Sequence, residues 1–202
     1  MTPLPPHGSL RRRSVLRALG VAASRLLLPG VTVAGWAAAG AVSAAEAELT
    51  VLEVLRDEEG VFLTCAVEFE LGKAADEALT KSVPLFFVAQ AEIFRDRWYW
   101  RDRRIAEAQR VFKVVLQPLT STYRVTTTGG LSQTYPTRAE ALAAISRATR
   151  WKIAEAGQVE DGHHYLEFNF RLDTSLLPRP MQIGISGQPD WQLSVKRTLR
   201  IN

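Results

Sequence analysis

"AELTVLEVLRDEEGVFLTCAVEFEL", residues 47–71, decides the fold class. In its second half Val61, Leu63, Cys65 and Val67 alternate with Phe62, Thr64, Ala66 and Glu68, the period of a pleated strand rather than of a helix. The acidic stretch "RDEEG" (56–60) interrupts the two runs, and Gly60 is free to take the positive φ that a tight connection demands. The segment therefore reads as a β-hairpin, an antiparallel start to the domain.

Working outward, "GKAADEALTKS" (72–82) is rich in helix formers, with Ala75, Leu79 and Ser82 near one face, and Pro84 ends the helix. "PLFFVAQAEIF" (84–94) and "RIAEAQRVFKVVLQPL" (104–119) are then expected to form a long antiparallel pair, because Phe112, Val114 and Leu116 alternate with Val111, Lys113 and Val115. "STYRVTTT", a Gly129-Gly130 turn and "LSQTYPT" predict a second hairpin. "TRAEALAAISRAT" (137–149) predicts a helix, with Thr137 as N-cap, Glu140 completing a capping box, and Ala141, Leu142 and Ile145 forming the stripe that packs on the sheet. "HHYLEFNFRLDT" and "WQLSVKRTLRI" alternate again as strands. The expected fold is mainly β, of α+β type, an antiparallel sheet or sandwich with two short helices after an N-terminal signal segment.

The long pair has "RDRWYWRDRR" (95–104) at its tip, five arginines and three large aromatics in ten positions. On an extended chain Trp98 and Trp100 share one face, and Arg97, Tyr99 and Arg101 share the other. The two tryptophans are expected to close the end of the core. Arg97, Tyr99, Arg101 and Arg103 are expected to supply an interaction surface. Asp96 and Asp102, interleaved in the run, are expected to neutralise part of it by ion pairing.

Charge placement bears on what that surface meets. Residues 1–44 contain Arg11, Arg12, Arg13, Arg17 and Arg25 and no acid, so of 25 basic residues 20 remain elsewhere, against 21 acidic ones. The basic character belongs to the leader and not to the domain. A basic start, an uncharged run from Leu26 to Ala45 and small residues at Val42-Ser43-Ala44 read as a secretory signal peptide, with "RRSVLR" (12–17) resembling a twin-arginine signal. The alternative is an N-terminal anchor, since residues 26–45 are also long enough to cross an inner membrane. Residues 1–45 are thus assigned to the signal peptide or anchor, 46–202 to a single globular domain, and the location to the periplasm. A domain of charge −1 in that compartment meets no nucleic acid, because phosphate binding needs an excess of Lys and Arg over a whole face.

Chemical motifs are sparse. Cys65 is the one cysteine, so no disulfide forms within the chain, and a buried small residue is its expected role. A nucleophile would need a partner such as His163 or His164, which stand side by side in "DGHHY" and are read as turn-exposed. Neighbouring histidines point to opposite sides of an extended chain, so no metal site is expected. There is no G-x-S-x-G, glycine-rich phosphate loop or H-E-x-x-H, and no cofactor or catalytic residue is assigned.

Three ordered blocks carry a family resemblance. R-x-R-W-Y-W falls on Arg95–Trp100, Q-P-L-T-x-x-Y on Gln117–Tyr123 (including Pro118), and R-L-D-T-x-x-L-P-x-P on Arg171–Pro180 (including Asp173 and Pro178). Over about residues 48–200 the chain resembles the bacterial domain of unknown function 4390 family. The resemblance implies an exported envelope protein and brings no catalytic residue. The expected partner is an envelope or membrane protein, with a role accessory to a membrane sensor as one form of that reading. The expected function is a non-catalytic envelope module that binds a protein or a small ligand of unknown identity. The alternative is an enzyme with a carboxylate site around Asp173, a residue whose "DTS" context otherwise reads as a strand ending in a side-chain-capped turn.

Overall fold

The computed structural model describes residues 46–97, 102–160, 162–185 and 187–201. In chain order its elements are β1 (Ala47–Asp57), β2 (Gly60–Phe69), α1 (Lys73–Thr80), β3 (Leu85–Arg95), β4 (Arg103–Gln117), β5 (Thr122–Thr127), β6 (Ser132–Tyr135), α2 (Arg138–Ile145), β7 (Arg147–Glu155), β8 (His164–Leu172), α3 (Arg179–Ile185) and β9 (Ser194–Ile201). The fold is mainly β, as the alternating patterns predict. Two sheets form, ordered β1-β2-β7 and β6-β5-β4-β3-β8-β9, with antiparallel pairing throughout the described ladders.

The opening hairpin closes in two residues, with Asp57 opposite Gly60. Gly60 takes φ +146°, and Asp57 Oδ1 accepts the N–H groups of Glu59 and Gly60 at 2.9 and 3.2 Å, so the acidic turn satisfies its own backbone. Glycine is also required by space, since a Cβ at position 60 would overlap the carbonyl oxygen of Ala154 on β7.

β1 meets β9 and β7 meets β4, so the inner faces of the sheets enclose one core. Val61, Leu63, Cys65 and Val67 supply it from β2, Phe87, Ala89, Ala91 and Ile93 from β3, and Leu166, Phe168, Phe170 and Leu172 from β8. Phe87 and Phe170 stack with centroids 5.9 Å apart, and Phe69 tilts against both at 5.5 and 5.3 Å, which joins the sheets through aromatic contact. β5 and β6 extend the larger sheet, and α2 packs against β5, β6 and β7 through buried Ala141 and Ile145.

Both expected helices form. Thr137 Oγ1 accepts the Glu140 N–H at 3.2 Å, the N-cap expected, while the Glu140 carboxylate accepts the Thr137 hydroxyl at 3.0 Å rather than the Thr137 backbone N–H that a full capping box uses. α1 ends in a Schellman arrangement: Val83 N–H donates to Ala78 O and Ser82 N–H to Leu79 O, both at 3.0 Å, with Ser82 at φ +63° and Pro84 just beyond.

Three expectations change. The helix expected over 137–149 stops at Ile145, because Ser146 O accepts the Val67 N–H at 2.9 Å and the chain then pairs with β2 as β7, burying Trp151 and Ile153. A third helix, α3, joins the two expected. Pro180 is its second residue, where a missing N–H leaves no helical bond unmade. His164 is not turn-exposed: it opens β8 on the face that continues through Leu166, Phe168 and Phe170, and is 4% exposed. Among the described residues no helix is long and apolar enough to cross a membrane. The signal peptide or anchor expected at 1–45 lies outside the described residues.

Candidate functional site

β3 and β4 pair from Leu85 opposite Val114 to Arg95 opposite Arg103, which carries the arginine-rich stretch to the end of the larger sheet. Of the expected interaction surface, Arg97 and Arg103 are exposed. Tyr99 and Arg101, and the expected core-closing Trp98 and Trp100, lie outside the described residues.

The base of the tip is fixed from two sides. Asp96 N–H donates to His163 O at 2.9 Å, attaching the tip to the entry of β8. Among the described residues Asp102 forms no ion pair with an arginine: its Oδ1 accepts the Arg97 backbone N–H at 3.1 Å and its Oδ2 accepts the Tyr165 hydroxyl at 2.7 Å. Two hydrogen-bond donors, one backbone and one phenolic, are thus aimed at this carboxylate. The Tyr165 hydroxyl and the Arg97 N–H hold the Asp102 carboxyl below its ordinary range. Desolvation and then the Asp102 hydrogen bond push Tyr165 up to about 12. Tyr165 stacks on Phe94 of β3 at 5.3 Å, which positions its hydroxyl.

The arginines around this base differ in freedom. Arg104 Nη1 is 2.6 Å from Glu92 Oε1 and 2.8 Å from Glu107 Oε2, and Arg95 Nη1 is 3.1 Å from Glu160 Oε2. A small cavity of about 190 Å³ lies among them, bounded by Arg95, Arg103, Arg104, Ile105, Gln158, Glu160 and His164. Nothing in the spacing of "RDRWYWRDRR" marks Tyr165 or Glu160 as partners of the tip. They are brought there by β8 and by the segment before it.

The other blocks lie elsewhere. β8 is antiparallel to β3, with His164 opposite Arg95 and Leu172 opposite Phe87. Eight residues of strand, about 27 Å at the usual rise, therefore separate the tip from the end that carries Arg171 and Asp173. Gln117 and Tyr123 sit at that same far end of the larger sheet. Gln117, at the end of β4, presents its amide oxygen to Arg124 Nε and Nη2 at 3.1 and 3.0 Å, Pro118 opens the exposed turn, and Tyr123 packs half-buried between Leu116 and Tyr135. Arg171 Nη1 donates to Gln90 Oε1 at 3.1 Å, and its Nη2 is 3.7 Å from Asp173 Oδ2. Asp173 Oδ1 accepts the Ser175 N–H at 3.0 Å and its hydroxyl at 2.5 Å, the side-chain-capped turn its context suggests. Pro178 O accepts the Met181 N–H at 2.9 Å, and Pro180 lies in α3.

A second, larger cleft of about 740 Å³ lies by α2 and the ends of β1 and β2. Its floor includes Val67, Phe69 and Leu142, and its rim carries Glu48, Glu68 and Glu70. Asp173 lines neither cleft. Cys65 is buried, and burial pushes its thiol up to about 11, opposite to the shift a nucleophile needs.

A family model described as Domain of unknown function (DUF4390) matches residues 44–201, and the chain belongs to that family. No curated protein and no solved structure matches the chain.

Proposed function

We propose that this member of the DUF4390 family is an exported, non-catalytic module of the bacterial envelope that recognises a protein or a small ligand through the tip of the β3–β4 hairpin, with a membrane sensor as a candidate partner. One observation carries the reading: Arg97 and Arg103 are exposed on a tip whose base is fixed by Asp102, Tyr165 and the His163 carbonyl. A rigid base lets surface arginines meet a partner with little ordering cost. The enzyme alternative draws no support from Asp173, whose carboxylate is engaged by Ser175 and Arg171 at the far end of the sheet.

The test joins location to recognition. The full chain is expressed with a C-terminal tag, the cell is fractionated, and partners are cross-linked in place and identified by mass, for the parent and for Arg97→Ala/Arg103→Ala. The expected result is a periplasmic pool and a partner whose yield falls in the double variant while the melting temperature stays that of the parent. A cytoplasmic pool overturns the export reading, and undiminished capture by the double variant overturns the tip. A membrane-bound pool retaining residues 1–45 replaces the cleaved signal with the anchor.

A further inference from the structure

Arg103, Arg95 and His164 form one row across β4, β3 and β8, because Arg95 is directly opposite both of the others. Residues opposite one another in an antiparallel ladder share a face, and this is the inner one: the next row inward is Ala106, Ile93 and Leu166, all buried. A register shift between Ile93 and Phe94 places Arg103, rather than Arg104, opposite Arg95. The open end of the core is therefore finished by basic groups where the pattern along each strand would place an apolar one.

Like charges in such a row repel, and the fold supplies a partial remedy. Glu160, from the segment between β7 and β8, brings one carboxylate to Arg95. Arg104 has Glu92 and Glu107. Among the described residues no carboxylate forms an ion pair with Arg103, although it borders the cavity shared by Arg95, Glu160 and His164. A guanidinium without a carboxylate partner among the described residues calls for one singly charged acceptor. The volume, about 190 Å³, is below the ~300–1,000 Å³ of sites that take whole small molecules and suits a single side-chain head. Glu160 already shows which head this row accepts.

We propose that Arg103, with Arg95 beside it, clamps one carboxylate of an acidic segment in a partner protein. The inference rests on the tip reading above and gives that partner its chemistry. A guanidinium presents a planar fork to a carboxylate, so the contact is directional and goes beyond general attraction.

Fluorescence anisotropy of a labelled hexaglutamate peptide titrated with the full chain tests it. Arg103→Gln is expected to weaken binding about tenfold and Arg103→Lys by less, while Arg197→Gln, an equal change of charge at an exposed position of β9, leaves it unchanged. Unshifted melting temperatures establish that the variants are folded. Absence of peptide binding by the parent, or equal losses in Arg103→Gln and Arg197→Gln, overturns the clamp. So does displacement of the peptide by inorganic phosphate at lower concentration than by glutarate at matched ionic strength, which makes the cavity a phosphate site. If cross-linking capture falls in Arg97→Ala and persists in Arg103→Gln, the tip still recognises its partner and the carboxylate clamp alone is lost.

Discussion

The Tyr165 hydroxyl donates to Asp102 Oδ2 at 2.7 Å, joining a strand to a hairpin tip 63 positions earlier in the chain. Each group perturbs the other's titration in the direction that keeps the pair formed: the carboxylate stays charged and the phenol stays protonated.

Replacing Asp102→Asn removes the charged acceptor, so the Tyr165 pKa falls from about 12 toward its ordinary value near 10. Phenolate absorbance during an alkaline titration of parent and variant measures it. A Tyr165 transition unmoved by the substitution would show that desolvation alone sets it. The linkage runs one way: a phenol whose pKa is raised on folding stabilises the native state below the unfolded value, and that contribution is lost as pH rises through about 12.

Cys65 is expected to be inert to a maleimide at neutral pH in the folded chain and to react at once in denaturant, because burial favours its thiol form and excludes the reagent. The folded pKa of about 11 lies above the unfolded one near 9, so this group's contribution to stability is complete below pH 9 and declines as pH rises toward 11. Urea midpoints at pH 8, 9 and 10 for the parent and Cys65→Ala separate this from other alkaline effects.

Ser82→Gly should stabilise the domain by about 1 kcal/mol, since position 82 holds φ +63° at the end of α1, where a Cβ is unfavourable. The midpoint of urea unfolding reads the gain. A loss instead would mean that the serine side chain contributes more than the backbone strain costs.

Gly72→Ala is expected to cost about 1–3 kcal/mol, although Gly72 adopts an extended conformation open to any residue. A Cβ there would overlap the Asp190 backbone, and the same segment caps α1 by accepting the Ala74 N–H on Asp190 Oδ2 at 3.2 Å. Thermal unfolding of the variant measures the cost. A melting temperature equal to that of the parent would show that the 188–191 segment can withdraw freely.

What was legible in the sequence was what neighbours in the chain decide. The turn at 56–60, the Thr137–Glu140 cap and the alternation of Phe112 and Val114 follow from local geometry and burial. β7 was not legible, because "SRAT" continues a helical composition and the residues that claim it for a strand, Val67 and its neighbours on β2, lie about eighty positions away. The burial of His164 was hidden for a related reason: "DGHHY" has the composition of a turn, and only the register of β8 against β3 shows which histidine faces inward. At the tip the arginines were visible as a class. Which of them meet a carboxylate, Arg95 with Glu160 for one, was not, since Glu160 and Tyr165 arrive from another part of the chain.

The sheet order leaves β1, β7, β6 and β9 each with one side lacking a strand neighbour within its sheet, and such borders are where chains add to one another without invitation. β6 has only four residues, β1 and β7 carry register irregularities, and β9 displays Lys196, Arg197 and Arg200 to solvent. Short length, bulges and exposed cations all discourage intermolecular strand addition. Intermolecular strand addition is consequently disfavoured at the sheet borders, and what the domain offers to its surroundings there is side chains rather than a free ladder.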